Sequence, residues 1–121
     1  MDNKKLVKDF YKDIFEEGNL AKIADYVAED YIQHNPRVAT GRAGFIKFIE
    51  EFIKLNPKIE FINISSDNNF VYVFFKCTLA NGIINKVCDI YRIENAKLVE
   101  HWDVIEHNVE IIKAVHDNGI F

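Results

Sequence analysis

Asp89-Ile90-Tyr91-Arg92-Ile93-Glu94-Asn95-Ala96-Lys97-Leu98-Val99-Glu100-His101-Trp102-Asp103-Val104-Ile105 reads as two β-strands joined by a tight turn. It sets two aspartates and a histidine among strongly apolar neighbours. Carboxylates in such company are costly unless they are paired or functional, because burial penalises the charged form. Side chains alternate between faces along a strand, so loop length decides whether these groups meet. A two-residue loop at Asn95-Ala96 pairs Glu94 with Lys97 and sends Asp89 and Asp103 to opposite faces. A three-residue loop, Glu94-Asn95-Ala96, pairs Ile93 with Lys97 and sets Asp89 opposite His101 and Val87 opposite Asp103. Asp89, Tyr91, Val99, His101 and Asp103 then share one face. We expect the three-residue loop, although its left-handed third position favours glycine and Ala96 there costs roughly 1–2 kcal/mol.

The hairpin before it extends the pattern. Asn81-Gly82 is a strong two-residue turn signal. It pairs Phe74 with Asp89 and Tyr72 with Tyr91, so Phe70, Tyr72 and Phe74 are expected on the aspartate side. Val71, Val73, Phe75, Cys77, Cys88 and Ile90 then form the other face. Both faces are apolar, which predicts a sheet covered by helices on one side and by a partner or further structure on the other.

Upstream, Leu6, Val7, Phe10, Tyr11, Ile14 and Phe15 repeat with helical period, opened by Asp2 or Asn3 and closed by Gly18. Asn19 opens a short second helix through Leu20, Ile23, Ala24 and Val27. An extended piece, Tyr31 to Pro36, follows, and Thr40-Gly41 precedes a third helix carrying Phe45, Ile46, Phe48, Ile49, Phe52 and Ile53. The Phe45, Phe48 and Phe52 stripe reads as helix core. After Asn56-Pro57 the pattern becomes strands at roughly 58–66, 70–80, 84–94 and 97–106. A last short helix is expected around Val109–His116. Helices first and a meandering sheet second make an α+β domain, with the sheet curved around the helices to form a cone with an internal pocket.

The chain has 121 residues, 49% of them hydrophobic and 13% aromatic, enough for one compact domain over 1–121 with a real core. A net charge of −4 with scattered Lys and Arg argues against nucleic acid and anionic membrane surfaces as partners. No apolar run approaches the ~20 residues of a membrane span. The N-terminus runs straight into an amphipathic helix, and two cysteines without metal or redox spacing suit a reducing cytoplasm.

Asp30-Tyr31-Ile32-Gln33-His34-Asn35-Pro36, Gly41-Arg42-Ala43-Gly44-Phe45 and the 89–105 hairpin together resemble the nuclear-transport-factor-2-like superfamily, and within it the SnoaL-like polyketide-cyclase branch. That resemblance implies a cone whose pocket is lined by the concave face of the sheet, with no metal and no cofactor. Carried over by position, Asp103 falls where the cyclases keep an aspartate as general acid/base. Asp89 falls where they have a histidine and where ketosteroid isomerases have a protonated aspartic acid. Asn35 occupies the place of the isomerases' base, and Tyr11 lies near a first-helix tyrosine of both groups. The chain departs from both patterns, so neither reaction transfers directly.

Asp103 is the first candidate for catalysis, since an apolar pocket pushes a carboxyl group toward neutrality and suits proton transfer to or from carbon. Asp89 either donates a hydrogen bond to a developing enolate or forms an ion pair with Arg92 or Arg42. His101 either orients one carboxylate or lies at the rim. His34, Tyr11, Tyr72, Phe74 and Tyr91 are expected to line the substrate site, and Trp102 to face away from the aspartates. The expected function is a small-molecule enzyme doing acid/base chemistry next to a carbonyl of a hydrophobic substrate, by aldol-type cyclisation, isomerisation or dehydration. The competing reading is a non-catalytic domain of the same fold that binds a small ligand or a protein. A homodimer through the outer face of the sheet is expected in either case.

Overall fold

The computed structural model describes residues 2–121. Asp2 caps the first helix, α1 (Asn3–Phe10), its carboxylate accepting from the Lys5 N–H at 3.1 Å. The helix then widens into a π-helical stretch, Tyr11–Glu16, that buries Tyr11, Ile14 and Phe15. Such turns recur at functional sites, and this one delivers Tyr11 to the sheet. Gly18, at φ +64°, ends the element as expected. A 3-10 turn at Leu20–Lys22 leads into α2 (Ile23–Tyr26), which is shorter than predicted because Val27 already opens the strand β1 (Val27–Gln33).

The third helix, α3 (Gly41–Phe52), continues as a 3-10 turn at Ile53–Leu55 and stops at Asn56, which is left-handed at φ 48° before Pro57. Gly44 lets this helix pass close to the preceding loop. A Cβ on Gly44 would fall 1.9 Å from the Ala39 carbonyl oxygen and 2.4 Å from its carbon. Backbone cannot yield as a side-chain tip can, so Gly44→Ala is expected to cost about 3 kcal/mol. A lower urea midpoint with unchanged slope is the measurement.

Four strands follow, β2 (Lys58–Asp67), β3 (Phe70–Thr78), β4 (Ile84–Glu94) and β5 (Lys97–Glu106), within two residues of their predicted limits. The sheet order is β1-β5-β4-β3-β2, with β1 parallel to β5 and every other pair antiparallel. The three helices pack on this curved, open, mostly antiparallel sheet, the α+β architecture read from the sequence. Val7, Phe10, Ile14, Ile49, Val71, Val73 and Leu98 are fully buried between the layers.

Both hairpin registers differ from expectation. Leu79 N–H bonds to the Ile83 carbonyl at 2.8 Å, so the first loop has three residues, Ala80-Asn81-Gly82, with Gly82 left-handed at φ 88°. The register shifts by one, Val73 faces Asp89, and every β3 side chain changes face. Val71, Val73, Phe75 and Cys77 are therefore on the aspartate side, while Phe70, Tyr72 and Phe74 lie outside. The second loop has two residues, because Asn95 (φ 50°) and Ala96 (φ 60°) are both left-handed and Glu94 pairs with Lys97. A bulge in β5 next to Leu98 adds one residue, so Asp89 faces Asp103 directly and the carboxylates still share a face. The bulge puts Leu98, not Val99, into the core.

Beyond β5 only Val109–Ile111 turns, as a 3-10 helix, in place of the expected longer helix. The final residues return across the outer face, where Phe121 packs on Phe74 at 6.4 Å and the Lys86 ammonium donates to the Ile120 carbonyl at 3.2 Å. Ile32, Tyr72 and Val104 remain exposed on that face. Cys77 and Cys88 are free thiols. No helix among the described residues is long and apolar enough to cross a membrane.

Candidate active site

Between α3 and the concave face of the sheet lies a cavity of about 230 Å³. Phe15, Phe45, Phe48, Phe52, Ile59 and Phe75 supply its apolar walls, so the phenylalanine stripe of α3 is cavity wall as well as helix core. One end is polar. Strand alternation on β4 and β5 points Asp89, Tyr91, His101 and Asp103 inward. The same alternation carries Tyr31, Gln33 and Asn35 from β1 and its exit to that end, before Pro36 stops the strand.

Asp89 and His101 are each 7% exposed. His101 Nε2 lies 3.0 Å from Asp89 Oδ1 and 3.9 Å from Asp103 Oδ2. Its other nitrogen, Nδ1, lies 2.7 Å from Gln33 Oε1. Behind the cavity wall, the Tyr11 hydroxyl donates to Asp89 Oδ2 and lies 2.8 Å from the Tyr91 hydroxyl. Burial, and then the charge of Asp89, push the Tyr11 and Tyr91 phenols well above their ordinary range, so both keep the proton they donate. Tyr31 is raised in the same way, by burial and then by Asp89 and Asp103. Asp103 accepts from the Asn35 amide at 2.7 Å. The imidazole also packs against two rings, Tyr31 at 6.3 Å and 14°, and Tyr91 at 4.9 Å and 32°.

Of the residues singled out in the sequence, Asp89, His101, Asp103 and Tyr91 meet at the cavity, and Tyr11 supports them from behind. Three do not face it. Tyr72 and Phe74 are on the outer face because of the three-residue loop, and Tyr72 is 38% exposed. His34 also points outward, stacked on Trp102 at 4.8 Å and bonded to Glu100 at 2.7 Å, since it alternates with Gln33 and Asn35. Trp102 lies outside as expected. Neither arginine pairs with Asp89: Arg92 binds Glu100 and Glu94, and Arg42 donates to the Val27 carbonyl. Gln33 and Asn35 line the polar end without having been singled out as site groups, and Arg37, Asn85 and His107 line the cavity too. The signal for Gln33 and Asn35 was the inward period-two run Tyr31, Gln33, Asn35.

Donor atoms of Asp89, His101 and Asp103 lie within 4.8 Å of one another, a spacing that could hold a cation. Those atoms already take hydrogen bonds from Tyr11 and Asn35, or share one with each other, so a metal would compete with a network that is fully partnered.

The sequence matches the SnoaL-like domain family over residues 7–101. No curated protein sequence matches the chain. Among solved structures, TsrD from Streptomyces laurentii superposes with a TM-score of 0.73 at 17% identity, over 88% of this chain and 91% of that one. A SnoaL-like polyketide cyclase from Agrobacterium tumefaciens gives 0.69 at 18% identity, over 88% and 93%. The epoxide hydrolase/cyclase-like enzyme SalBIII, described in pyran ring formation of the polyether salinomycin, gives 0.74 at 16% identity, over 85% and 89%. At these identities the likeness is one of fold.

Proposed function

Because this chain belongs to the SnoaL-like domain family, we propose that it is a cofactor-independent enzyme acting on a hydrophobic carbonyl compound. The observation that supports this reading is Asp103, at the polar end of a mostly apolar cavity beside the His101–Asp89 pair. Asp103 takes a proton from the carbon next to the carbonyl, and the C–H electron pair moves into the enolate. The His101–Asp89 pair stabilises the enolate oxygen by donating it a hydrogen bond. Return of the proton from Asp103 to a different carbon of a conjugated enolate completes an isomerisation. Attack of the enolate on a second carbonyl, whose oxygen takes the proton from Asp103, completes an aldol-type cyclisation. Departure of a β-hydroxyl as water, carrying the proton from Asp103, completes a dehydration.

The test needs no knowledge of the product. Planar aryl ketones incubated with the protein in D2O are expected to exchange their α-hydrogens for deuterium faster than in buffer, read by mass spectrometry. Uptake of ketones without exchange would favour a binding domain, a reading supported by the full internal pairing of the polar groups. Two free thiols suit a reducing compartment such as the cytoplasm. The exposed Ile32, Tyr72 and Val104 on the outer face suit a homodimer, with a light-scattering mass of twice 14.1 kDa expected and 14.1 kDa counting against it.

A further inference from the structure

Two backbone N–H groups fix the orientation of the Gln33 and Asn35 side-chain amides, and through them two proton directions of the polar array. A main-chain amide only donates, so the Asn35 N–H, 3.0 Å away, requires the oxygen of the Gln33 amide to face it. That same oxygen lies 2.7 Å from His101 Nδ1. An amide oxygen only accepts, so Nδ1 carries a proton. In the same way the Arg37 N–H, 2.9 Å from Asn35 Oδ1, turns the Asn35 amino group toward Asp103.

The far side of the ring follows. His101 Nε2 lies 3.0 Å from Asp89 Oδ1. A bare ring lone pair facing a carboxylate lone pair at that distance is repulsive, so a proton lies between them. Asp89 Oδ2 takes the Tyr11 hydroxyl proton, and the Tyr91 hydroxyl has two acceptors in reach, the Tyr11 oxygen at 2.8 Å and Asp89 Oδ2 at 3.3 Å. Both phenols therefore donate toward Asp89, Tyr11 directly and Tyr91 directly or by way of the Tyr11 oxygen.

We infer that Gln33 is a positioning residue that holds His101 with Nδ1 protonated, so that the His101–Asp89 pair carries a second, shared proton beside an Asp103 held as acceptor. Gln33 acts through the imidazole and not on the substrate. Without its oxygen, a ring bearing one proton would turn that proton to Nε2, against an ionised Asp89, and the pair would hold one proton fewer. The chemical consequence rests on the acid/base reading of the pocket: by accepting from Nδ1, Gln33 keeps on the His101–Asp89 pair the proton that is donated to the enolate oxygen while Asp103 removes the one on carbon. The geometry does not rest on that reading.

The test is a long-range proton–nitrogen correlation spectrum of the full chain labelled with 15N-histidine, with the His101 signals identified by their loss in His101→Gln. The wild-type spectrum is expected to show His101 protonated at Nδ1. Gln33→Leu is expected to lose that signature, and Gln33→Glu, which keeps an accepting oxygen at the same place, to retain it. A wild-type His101 with bare Nδ1 overturns the proposal, and so does a Gln33→Leu spectrum that keeps the Nδ1 proton. The wild-type result needs no variant to fold, so an unfolded Gln33→Leu leaves the proposal open to refutation by the wild-type and Gln33→Glu spectra. None of these readouts needs turnover, so a protein inactive on ketones can still show the Gln33 effect.

Discussion

Replacing Asp103 with asparagine is expected to lower the rate of α-hydrogen exchange by about 10²–10⁴-fold, the usual contribution of a positioned general base or acid. That range corresponds to about 3–5 kcal/mol of barrier. The substitution is nearly isosteric, and the new side-chain oxygen can still accept from the Asn35 amide that bonds Asp103 at 2.7 Å. The fold and ketone binding are therefore expected to survive, and the loss to fall on the chemical step. Binding measured by calorimetry beside exchange measured by mass separates the two. An Asp103→Asn protein that exchanges within threefold of wild type would show that the base lies elsewhere.

Phe10→Ala is expected to have the largest effect on stability. Phe10 is fully buried, with Tyr11, Phe15, Tyr26, Phe45 and Tyr91 rings all within 5.9 Å of its centroid. Removing a buried phenylalanine costs about 3–5 kcal/mol, the transfer of the ring plus the cavity left behind. Against a total stability of about 5–15 kcal/mol that is a large share. The thermal midpoint is expected to fall by about 10–20 °C. Because Phe10 packs on both Tyr11 and Tyr91, whose hydroxyls hold Asp89, the loss is expected to loosen the site as well. A midpoint within 3 °C of wild type would show that the neighbouring rings close the gap.

The strands were legible because β-branched and aromatic runs are bounded by turn residues, and those boundaries lie near Asn56-Pro57, Asn81-Gly82 and Asn95-Ala96. Register was not legible. Asn81-Gly82 supports a two-residue loop or the end of a three-residue one, and Gly82 fits the left-handed position of either. That single residue decides which face of β3 meets the cavity, and it took Tyr72 and Phe74 out of the site. At Asn95-Ala96 the error was of another kind. The shared face of Asp89 and Asp103 was expected from a three-residue loop, whereas a two-residue loop and a β5 bulge produce it together. A bulge leaves no residue-type signature, since it is set by how the sheet curves over the helices. Gln33 and Asn35 were missed as site groups for a third reason. The parallel β1–β5 contact that brings them to His101 and Asp103 joins segments far apart in sequence.

That separation also orders events in time. The hydrogen bonds that define the polar end join positions 78 apart at Tyr11–Asp89, and 68 apart at both Gln33–His101 and Asn35–Asp103. Closing so long a segment costs chain entropy before any of these contacts forms, and contacts of high sequence separation slow folding. During synthesis α1, β1 and α3 emerge first and must wait for β5, the last strand, to supply both His101 and Asp103. The polar end of the pocket therefore cannot be complete before β5 has emerged. A nascent chain that stops before β5 lacks His101 and Asp103, and with them the polar end of the candidate site.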